Sequence, residues 1–413
     1  LVLSIDLDEI FKLLKNWKPD VVGCSNYIWN SQISNVICEV AKEINPDTLC
    51  IIGGPEFPAG TGQRNIKNTN TNATYDKCLE YLLKRPCVDY YAWSDGEVVV
   101  LEILQQFIKN NFSVENLKKN DNPIKGSASI SKDKKTLLVG EYLARIGMEG
   151  SVKSEGRDTI LSPYTTGLLD KFLDGRSIPA FETAKGCPFM CTFCDQGLDA
   201  SKVTAFSTKR LMEEFWYVGE KMSKHKEGTK VVAIFDSNWG LFEKDVDLAN
   251  NVLGVMDKYD WPEFIECLTP KSNRENLLKI NDVLKNRVQV GLSMQSMNIQ
   301  TLSDIKRKNW TTAEYLDFVE EIKKRGKAAT SEMIIPLPGE TKETYFEGIE
   351  FLMEHNIQPG TYTLMMLDGA ELGRDAAIKR FGMKGKWRIL PKQFGKYNGK
   401  KVFETEQACI ETN

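Results

Sequence analysis

Residues 185–194 read Lys-Gly-Cys-Pro-Phe-Met-Cys-Thr-Phe-Cys and place three thiols, Cys187, Cys191 and Cys194, at spacings of four and three residues. The chain has ten cysteines in 413 residues. Chance would give this pattern roughly 0.006 times in such a chain, so coincidence explains it poorly. The glycine and proline of the segment favour a turn. Three thiolates on a turning loop are suited to hold a metal centre.

Two kinds of metal centre need to be weighed at this loop. A closed zinc site has four protein ligands, and the two histidines of the chain, His225 and His355, are distant from the loop in sequence. A four-iron cluster held by three cysteines leaves one iron free for a substrate or cofactor, as an active centre requires. The residues favour an iron-sulfur cluster, with structural zinc or simple buried thiols as the alternatives.

The sequence around and after the cysteines alternates strand-like and helix-like segments. Helical periodicity occurs, for example, at residues 211–222 and 313–325. Strand-like runs lie at residues 180–183, 231–235, 264–267, 288–294, 328–335 and 360–366. Six βα units predict a partial (β/α)6 barrel over residues 179–368. Residues 146–178, rich in Gly, Ser, Asp and Lys, are predicted to be a connector.

Residues 1–145 carry a separate α/β pattern. Helix-like periodicity at residues 5–17 precedes a strand-like run at 21–24, and a helical face at residues 33–44 precedes another at 49–52. A third such run at residues 88–93 is again followed by a helical pattern. This alternation predicts a Rossmann-like, doubly wound parallel sheet that ends in a hairpin at 127–139. Its first strand is expected to precede Leu1, and a short C-terminal extension over residues 369–413 is expected to continue past Asn413.

The cysteine spacing resembles the signature of radical S-adenosylmethionine (SAM) enzymes. The resemblance includes the aromatic residue before the last cysteine and the place of the loop at the end of the first predicted barrel strand. The resemblance implies a 4Fe-4S cluster on Cys187, Cys191 and Cys194. It also implies that the open iron binds SAM, that one electron cleaves SAM to a 5′-deoxyadenosyl radical, and that a flavodoxin or ferredoxin supplies the electron.

Polar residues at later strand ends resemble the SAM contacts of radical enzymes related to oxygen-independent coproporphyrinogen oxidase. The resemblance implies ribose contacts for Gln295 and Glu332 and a bond from Arg307 to the SAM carboxylate, which suits a planar guanidinium. Asp236 and Asn238 stand where many members bind the SAM amine through Gly-Gly-Glu. The alternative for each of these residues is a solvated strand end or a helix cap.

The N-terminal lobe resembles the cobalamin-binding domain of the cobalamin-dependent branch of this superfamily. The resemblance rests on three turns at strand ends and implies cobalamin contacts at Gly23, Ser25, Gly53, Gly54 and Glu97. No histidine occurs before residue 225, so a cobalamin bound by this chain would lack a histidine lower ligand. The alternative is a scaffold lobe without a ligand.

These patterns together predict a cobalamin-dependent radical SAM enzyme that methylates an unactivated carbon of a small molecule or biosynthetic intermediate. Radical cyclisation, rearrangement or other non-methylating chemistry is the alternative among enzymes, and a non-catalytic metal-binding protein is the alternative of another class. A net charge of −3 gives no electrostatic reason to expect a nucleic-acid partner. Apolar runs are too short to span a membrane, and the scattered cysteines fit a reducing compartment, the cytoplasm.

Overall fold

A computed structural model describes residues 7–59, 72–93, 95–147, 155–197, 203–397 and 400–413. The chain forms two compact units. The first comprises residues 1–145, 192–199 and 365–412, and the second comprises 146–191 and 200–364, with Asn413. No helix of the described residues is long and apolar enough to cross a membrane.

The described helices of the first unit are α1 (Leu7–Trp17), α2 (Ser31–Ile44), α3 (Asn72–Leu83), α4 (Gly96–Lys109), α5 (Val114–Lys118) and α12 (Asp375–Arg380). Its strands are β1 (Val21–Ser25), β2 (Leu49–Gly53), β3 (Tyr90–Ala92), β4 (Ser127–Ile130), β5 (Leu137–Val139), β13 (Lys384–Tyr397) and β14 (Lys400–Glu411). The helices of the second unit are α6 (Thr208–Met222), α7 (Glu243–Tyr259), α8 (Arg274–Val283), α9 (Ile299–Asp304), α10 (Thr312–Lys324) and α11 (Lys342–Glu354). Its strands are β6 (Ala180–Phe181), β7 (Ala184–Lys185), β8 (Thr204–Ala205), β9 (Val231–Ile234), β10 (Phe264–Cys267), β11 (Ala329–Ile335) and β12 (Ile357–Thr363).

The first unit is built on a five-stranded sheet of order β1-β2-β3-β4-β5. Strands β1, β2 and β3 are parallel, and β4 and β5 form the antiparallel hairpin predicted at 127–139. Alternate residues of β2 pack on opposite faces of the sheet. Leu49 and Ile51 pack with α4 and α5. Cys50 and Ile52 pack with α1, α2 and α3. Helices therefore cover both faces of the sheet, as its continuous apolar strands require. The described strands show no reversal of order, so the doubly wound topology stays a prediction.

Residues 365–412 belong to the first unit, and the predicted C-terminal extension over 369–413 stays a prediction. Strands β13 and β14 make a long antiparallel hairpin, and the Met366 amide donates to the Gln407 carbonyl at 2.9 Å. The buried Glu404 carboxylate accepts from the Gln32 and Ile33 amides at 2.9 and 2.8 Å. These amides lie in the first turn of α2, where N–H groups lack partners within the helix and the helix dipole favours an anion.

Parallel strands organise the second unit. β6, β9 and β10 pair in the order β10-β9-β6, and β11 pairs with β12. Single parallel bridges, from Ile265 to Val288 and from Gln295 to Met333, connect the segment 288–295 to β10 on one side and to β11 on the other. This mixed α/β architecture with parallel strands agrees with the predicted fold class at that level.

The predicted strand at 288–294 pairs through its backbone only near its ends, for a specific reason. The Ser331 hydroxyl accepts from the Met294 amide at 3.2 Å and donates to the Leu292 carbonyl at 3.0 Å. The Thr269 hydroxyl likewise accepts from the Gly291 amide at 3.2 Å and donates to the Gly291 carbonyl. Side-chain hydroxyls therefore replace strand-to-strand backbone bonds, which a pattern of apolar residues does not reveal.

Candidate cluster and SAM site

The cysteine loop begins directly after the first strand of the second unit. β6 ends at Phe181, and the short strand β7 pairs with β8 before the loop reaches Cys187. Gly186 has a φ of 102°, a backbone conformation that favours glycine, so the turn just before Cys187 depends on it. Cys187 is half-buried and Cys191 is buried, and both thiols are free.

Nitrogen donors from later strand ends converge on these two thiols. Asn238 Nδ2, four residues beyond β9, lies 3.1 Å from Cys187 Sγ. Lys271 Nζ, four residues beyond β10, lies 3.5 Å from Cys191 Sγ. Arg307 Nη1 lies 3.9 Å from the same sulfur. Burial lowers the pKa of both cations, and Cys191 opposes that shift in each. The arrangement places one amide donor and two cations beside the sulfur atoms of Cys187 and Cys191.

Asp236 has a structural role within the chain, and its predicted contact with the SAM amine stays a prediction. Both of its carboxylate oxygens accept hydrogen bonds from Thr183, one from the amide at 2.6 Å and one from the hydroxyl at 2.5 Å. Thr183 lies four residues before Cys187. Its hydrogen bonds with Asp236 therefore fix the position of the backbone that leads into the cysteine loop. Of the two residues predicted at the end of β9, Asn238 contacts a cysteine and Asp236 positions the chain that leads to it.

We expect Asp236 to make stability depend on pH. Burial raises the pKa of Asp236 from an ordinary 3.8 to about 7, although the Thr183 bonds oppose the shift. The folded state then binds the proton more tightly than the unfolded state, so the free energy of unfolding falls as pH rises from about 4 to about 7. Each unit of pKa difference corresponds to about 1.4 kcal/mol.

Asp236→Asn keeps an oxygen acceptor for Thr183 and removes the titration. Urea unfolding of the metal-free protein at pH 5 and pH 8 should therefore show a larger loss of stability for the wild type than for Asp236→Asn. An equal loss in both proteins would refute this account of Asp236.

The three residues predicted to bind SAM come together around Ser293. The Ser293 hydroxyl donates to Glu332 Oε2 at 2.6 Å, and the Ser293 carbonyl accepts from Arg307 Nη2. The Gln295 amide donates to the Glu332 carbonyl at 2.7 Å. Arg307 Nε also donates to Asn309 Oδ1 at 2.8 Å, which fixes the guanidinium plane. Ser293 and Asn309 were missed in the sequence, although both lie within two residues of predicted ones.

Gln295 holds the feature that best fits a bound ligand. Its side chain is buried, its backbone has a φ of 64°, and its Oε1 atom has no hydrogen-bond partner among the described residues. A buried acceptor without a donor is costly, so a ligand hydroxyl that donated to it would be stabilising. The SAM ribose carries such hydroxyl groups, which agrees with the predicted ribose contact.

Cys194 lies in the short segment 192–199, which packs within the first unit, whereas Cys187 and Cys191 belong to the second. Among the described residues, no group of three or more His, Cys, Asp or Glu side chains is arranged to hold a metal ion. The pairing of Cys194 with the other two thiols on one cluster therefore stays a prediction from their spacing.

Most of the residues predicted to contact cobalamin lie at or just beyond the carboxyl ends of β1, β2 and β3 in the first unit, whereas Gly23 is the middle residue of β1. Gly23 and Ser25 are exposed on β1, and Glu97 is exposed in the first turn of α4. Gly53 ends β2, and Gly54 follows with a φ of 144°. These parallel strands end at one edge of the sheet, the edge at which ligands bind in such folds.

Asn26, which was not predicted, ties these turns together. It is fully buried, and its amide donates to the Gly53 carbonyl at 2.8 Å. Its Nδ2 atom donates to the Glu56 carbonyl at 2.6 Å and lies 2.8 Å from the Tyr81 hydroxyl. The stacked rings of Tyr27 and Trp29, with centroids 4.6 Å apart, follow it on the surface. Asn26 could have been identified in the sequence because it is a polar residue just after a predicted strand.

Residues 181–352 match the family model described as the radical SAM superfamily. This part of the chain is therefore similar to radical SAM domains. This match covers the cysteine loop, the donors around it and the residues near Ser293. Radical SAM proteins use a 4Fe-4S cluster and SAM. The nitrogen donors beside the two thiols and the Gln295 oxygen, which lacks a donor among the described residues, fit those two groups.

Similar proteins extend this relationship beyond the matched domain. The cobalamin-dependent radical SAM methyltransferase TokK of Streptomyces tokunonensis is 25% identical over 395 residues, which cover 91% of this chain and 50% of that protein. The 2-(S-pantetheinyl)-carbapenam-3-carboxylate methyltransferase of Streptantibioticus cattleyicolor is 23% identical over 387 residues, with 91% and 50% covered. The predicted resemblance to the cobalamin-dependent branch is thereby confirmed. The chain spans about half the length of these two relatives.

A solved structure shows the same fold. The radical SAM methyltransferase TsrM from Kitasatospora setae, solved with tryptophan and a SAM analogue bound, aligns with a TM-score of 0.63 at 14% identity. The alignment covers 93% of this chain and 71% of that structure. The alignment therefore includes residues of both units.

Proposed function

We propose that this chain is a cobalamin-dependent radical SAM methyltransferase that acts on an unactivated carbon of a small molecule or biosynthetic intermediate. The observation that carries the proposal is the convergence of Asn238, Lys271 and Arg307 on the thiols of Cys187 and Cys191 within the matched domain. The names of the relatives support methyl transfer over other radical outcomes.

The finer architecture is part of this proposal. The pairing of β6, β9, β10, segment 288–295, β11 and β12 supports a partial barrel of six parallel strands. The first unit, which has helices on both faces of its sheet, supports a Rossmann-like cobalamin domain. In both folds the ligand lies at the carboxyl ends of the strands, where most of the predicted contacts are found.

Each group near the cysteine loop has a distinct task in this proposal. Cys187, Cys191 and Cys194 would hold a 4Fe-4S cluster, which with SAM supplies the 5′-deoxyadenosyl radical that removes a hydrogen atom from the substrate. Arg307 would pair with the SAM carboxylate, and Gln295 and Glu332 would bind the ribose hydroxyls. Because Ser293 and Asn309 restrain Arg307 and Glu332, these contacts would be preorganised, which favours reaction over loose binding.

The first unit would hold cobalamin as the methyl carrier. TsrM and OxsB are described with bound cobalamin in solved structures similar to this chain. The exposed Gly23 and Ser25, the turn at Gly53 and Gly54, and Glu97 are the proposed contacts. A side chain at Gly23 would meet no atom within 4 Å, so this edge of β1 is open to a large ligand.

A labelling experiment tests the function directly. The full chain would be purified anaerobically, reconstituted with iron, sulfide and hydroxocobalamin, and incubated with methyl-labelled SAM and a reductant. We expect 5′-deoxyadenosine to form and the label to move to cobalamin, and then to a substrate when candidates are supplied. Formation of 5′-deoxyadenosine without label on cobalamin would favour non-methylating radical chemistry. Formation of neither product would favour a non-catalytic metal-binding protein.

The cellular setting follows from the same chemistry. All ten cysteines are free thiols, which agrees with the proposed cytoplasmic location. A reduced flavodoxin or ferredoxin is the proposed electron donor, since cluster reduction needs a one-electron carrier of low potential.

A further inference from the structure

Lys271 occupies an unusual place for a lysine. Its Nζ atom lies 3.5 Å from Cys191 Sγ and 4.3 Å from the centre of the Phe189 ring. Phe189 and Cys191 are two residues apart on the cysteine loop, so the ammonium group contacts the loop at both a thiol and an aromatic face. A cation over an aromatic ring is attracted by the ring quadrupole, which helps to hold Lys271 in this position.

Among the described residues, Lys271 has no acidic ion-pair partner, and its strongest charge interaction is with Cys191. Arg307 is different, because Ser293 and Asn309 already bind two of its nitrogens. The Lys271 ammonium therefore directs its positive charge at the sulfur of Cys191.

A cation beside a ligating thiolate has a defined effect on an iron-sulfur centre. Reduction of a 4Fe-4S cluster adds one negative charge, and nearby positive charge and hydrogen bonds to sulfur stabilise the reduced form. Because Lys271 is partly buried, solvent screens this interaction less than it would at the surface. The expected consequence is a higher reduction potential.

We propose that Lys271 is a positioning residue for the cluster, which orients the Cys191 thiolate and raises the reduction potential of the centre. The inference rests on the proposed function, because it requires a cluster on Cys191. It assigns a role to a residue outside the cysteine motif and outside the predicted SAM contacts. The electron itself comes from an external one-electron reductant, and Lys271 neither gains nor loses a proton in the step.

The test is a redox titration of the reconstituted full chain, monitored by the electron paramagnetic resonance of the reduced cluster and made without SAM. Lys271→Met removes the charge at similar length, Lys271→Arg keeps it, and Lys342→Met removes an exposed lysine at the start of α11 as a matched control. We expect Lys271→Met to lower the equilibrium constant for reduction about tenfold, which is about 59 mV for one electron. Lys271→Arg and Lys342→Met should stay close to the wild type.

The outcomes separate this inference from the proposed function. A wild-type chain that forms no cluster would refute the proposed function. A cluster that forms in the wild type and has the same midpoint potential in Lys271→Met would overturn the role of Lys271 and leave the function standing. The resonance signal reports only molecules that hold a cluster, so partial loss of iron in a variant does not obscure the measurement.

Discussion

Replacement of Cys187 by alanine is expected to remove the iron-sulfur cluster and with it all formation of 5′-deoxyadenosine. Three thiolates are needed to hold the cluster, and Cys187 already receives a hydrogen bond from Asn238 at 3.1 Å. Two remaining thiols leave two irons without protein ligands, so the centre should not survive purification. Iron and acid-labile sulfide content, visible absorbance and 5′-deoxyadenosine release measure the effect. Alanine at Cys191 or Cys194 should have the same result.

Cys87→Ala is the matched control for this experiment. Cys87 is a half-buried free thiol of the first unit and lies outside the loop motif. Its replacement should leave iron content and turnover within about twofold of the wild type, since it removes no proposed ligand. If Cys187→Ala and Cys87→Ala retained equal amounts of iron, the three-cysteine cluster would be excluded.

Replacement of Gly54 by alanine is expected to destabilise the first unit strongly and to lower its corrinoid content. Gly54 has a φ of 144°, and a Cβ atom placed there would lie 2.4 Å from the Asn26 carbonyl oxygen. That oxygen accepts from the Glu56 amide at 3.1 Å, so it cannot withdraw without loss of a hydrogen bond. The backbone conformation alone should cost about 1–3 kcal/mol, and the overlap adds to it.

Gly23→Ala, in the same sheet, is the control variant for Gly54→Ala. A Cβ atom at Gly23 would meet nothing within 4 Å. The free energy of unfolding of Gly23→Ala should therefore change by less than about 1 kcal/mol. Urea unfolding followed by circular dichroism measures both variants without cofactor, and absorbance after reconstitution measures corrinoid. Equal stabilities for the two variants would contradict the constraint inferred at Gly54.

Features with a local periodic signal could be predicted from the sequence. The apolar run Leu49 to Ile52 predicted a buried strand, and the structure buries all four residues in two cores. The runs at 231–235 and 264–267 correspond to β9 and β10, and the hairpin at 127–139 is present. The predicted residues Gln295, Arg307 and Glu332 lie around one serine, because ends of neighbouring parallel strands meet at one edge.

Features that depend on distant partners could not be predicted in this way. Lys271 and Cys191 are 80 residues apart, and a lysine after a proline in a loop carries no periodic signal. Asp236 was predicted as a ligand contact from its place at a strand end, but that place does not reveal Thr183 as its partner. The sequence likewise gives no signal for the roles of the Thr269 and Ser331 hydroxyls. These hydroxyls bind backbone amides at 291–294 that would otherwise pair with a neighbouring strand.

The bond between Glu404 and the first turn of α2 has a consequence for how the chain acquires its structure during translation. The two partners are more than 370 residues apart. A ribosome adds about 5–20 residues per second, so the amides of α2 wait for tens of seconds before this acidic side chain is made. Until then the first turn of α2 lacks this acceptor, and fragments released before β14 should be preferred substrates for chaperones and proteases.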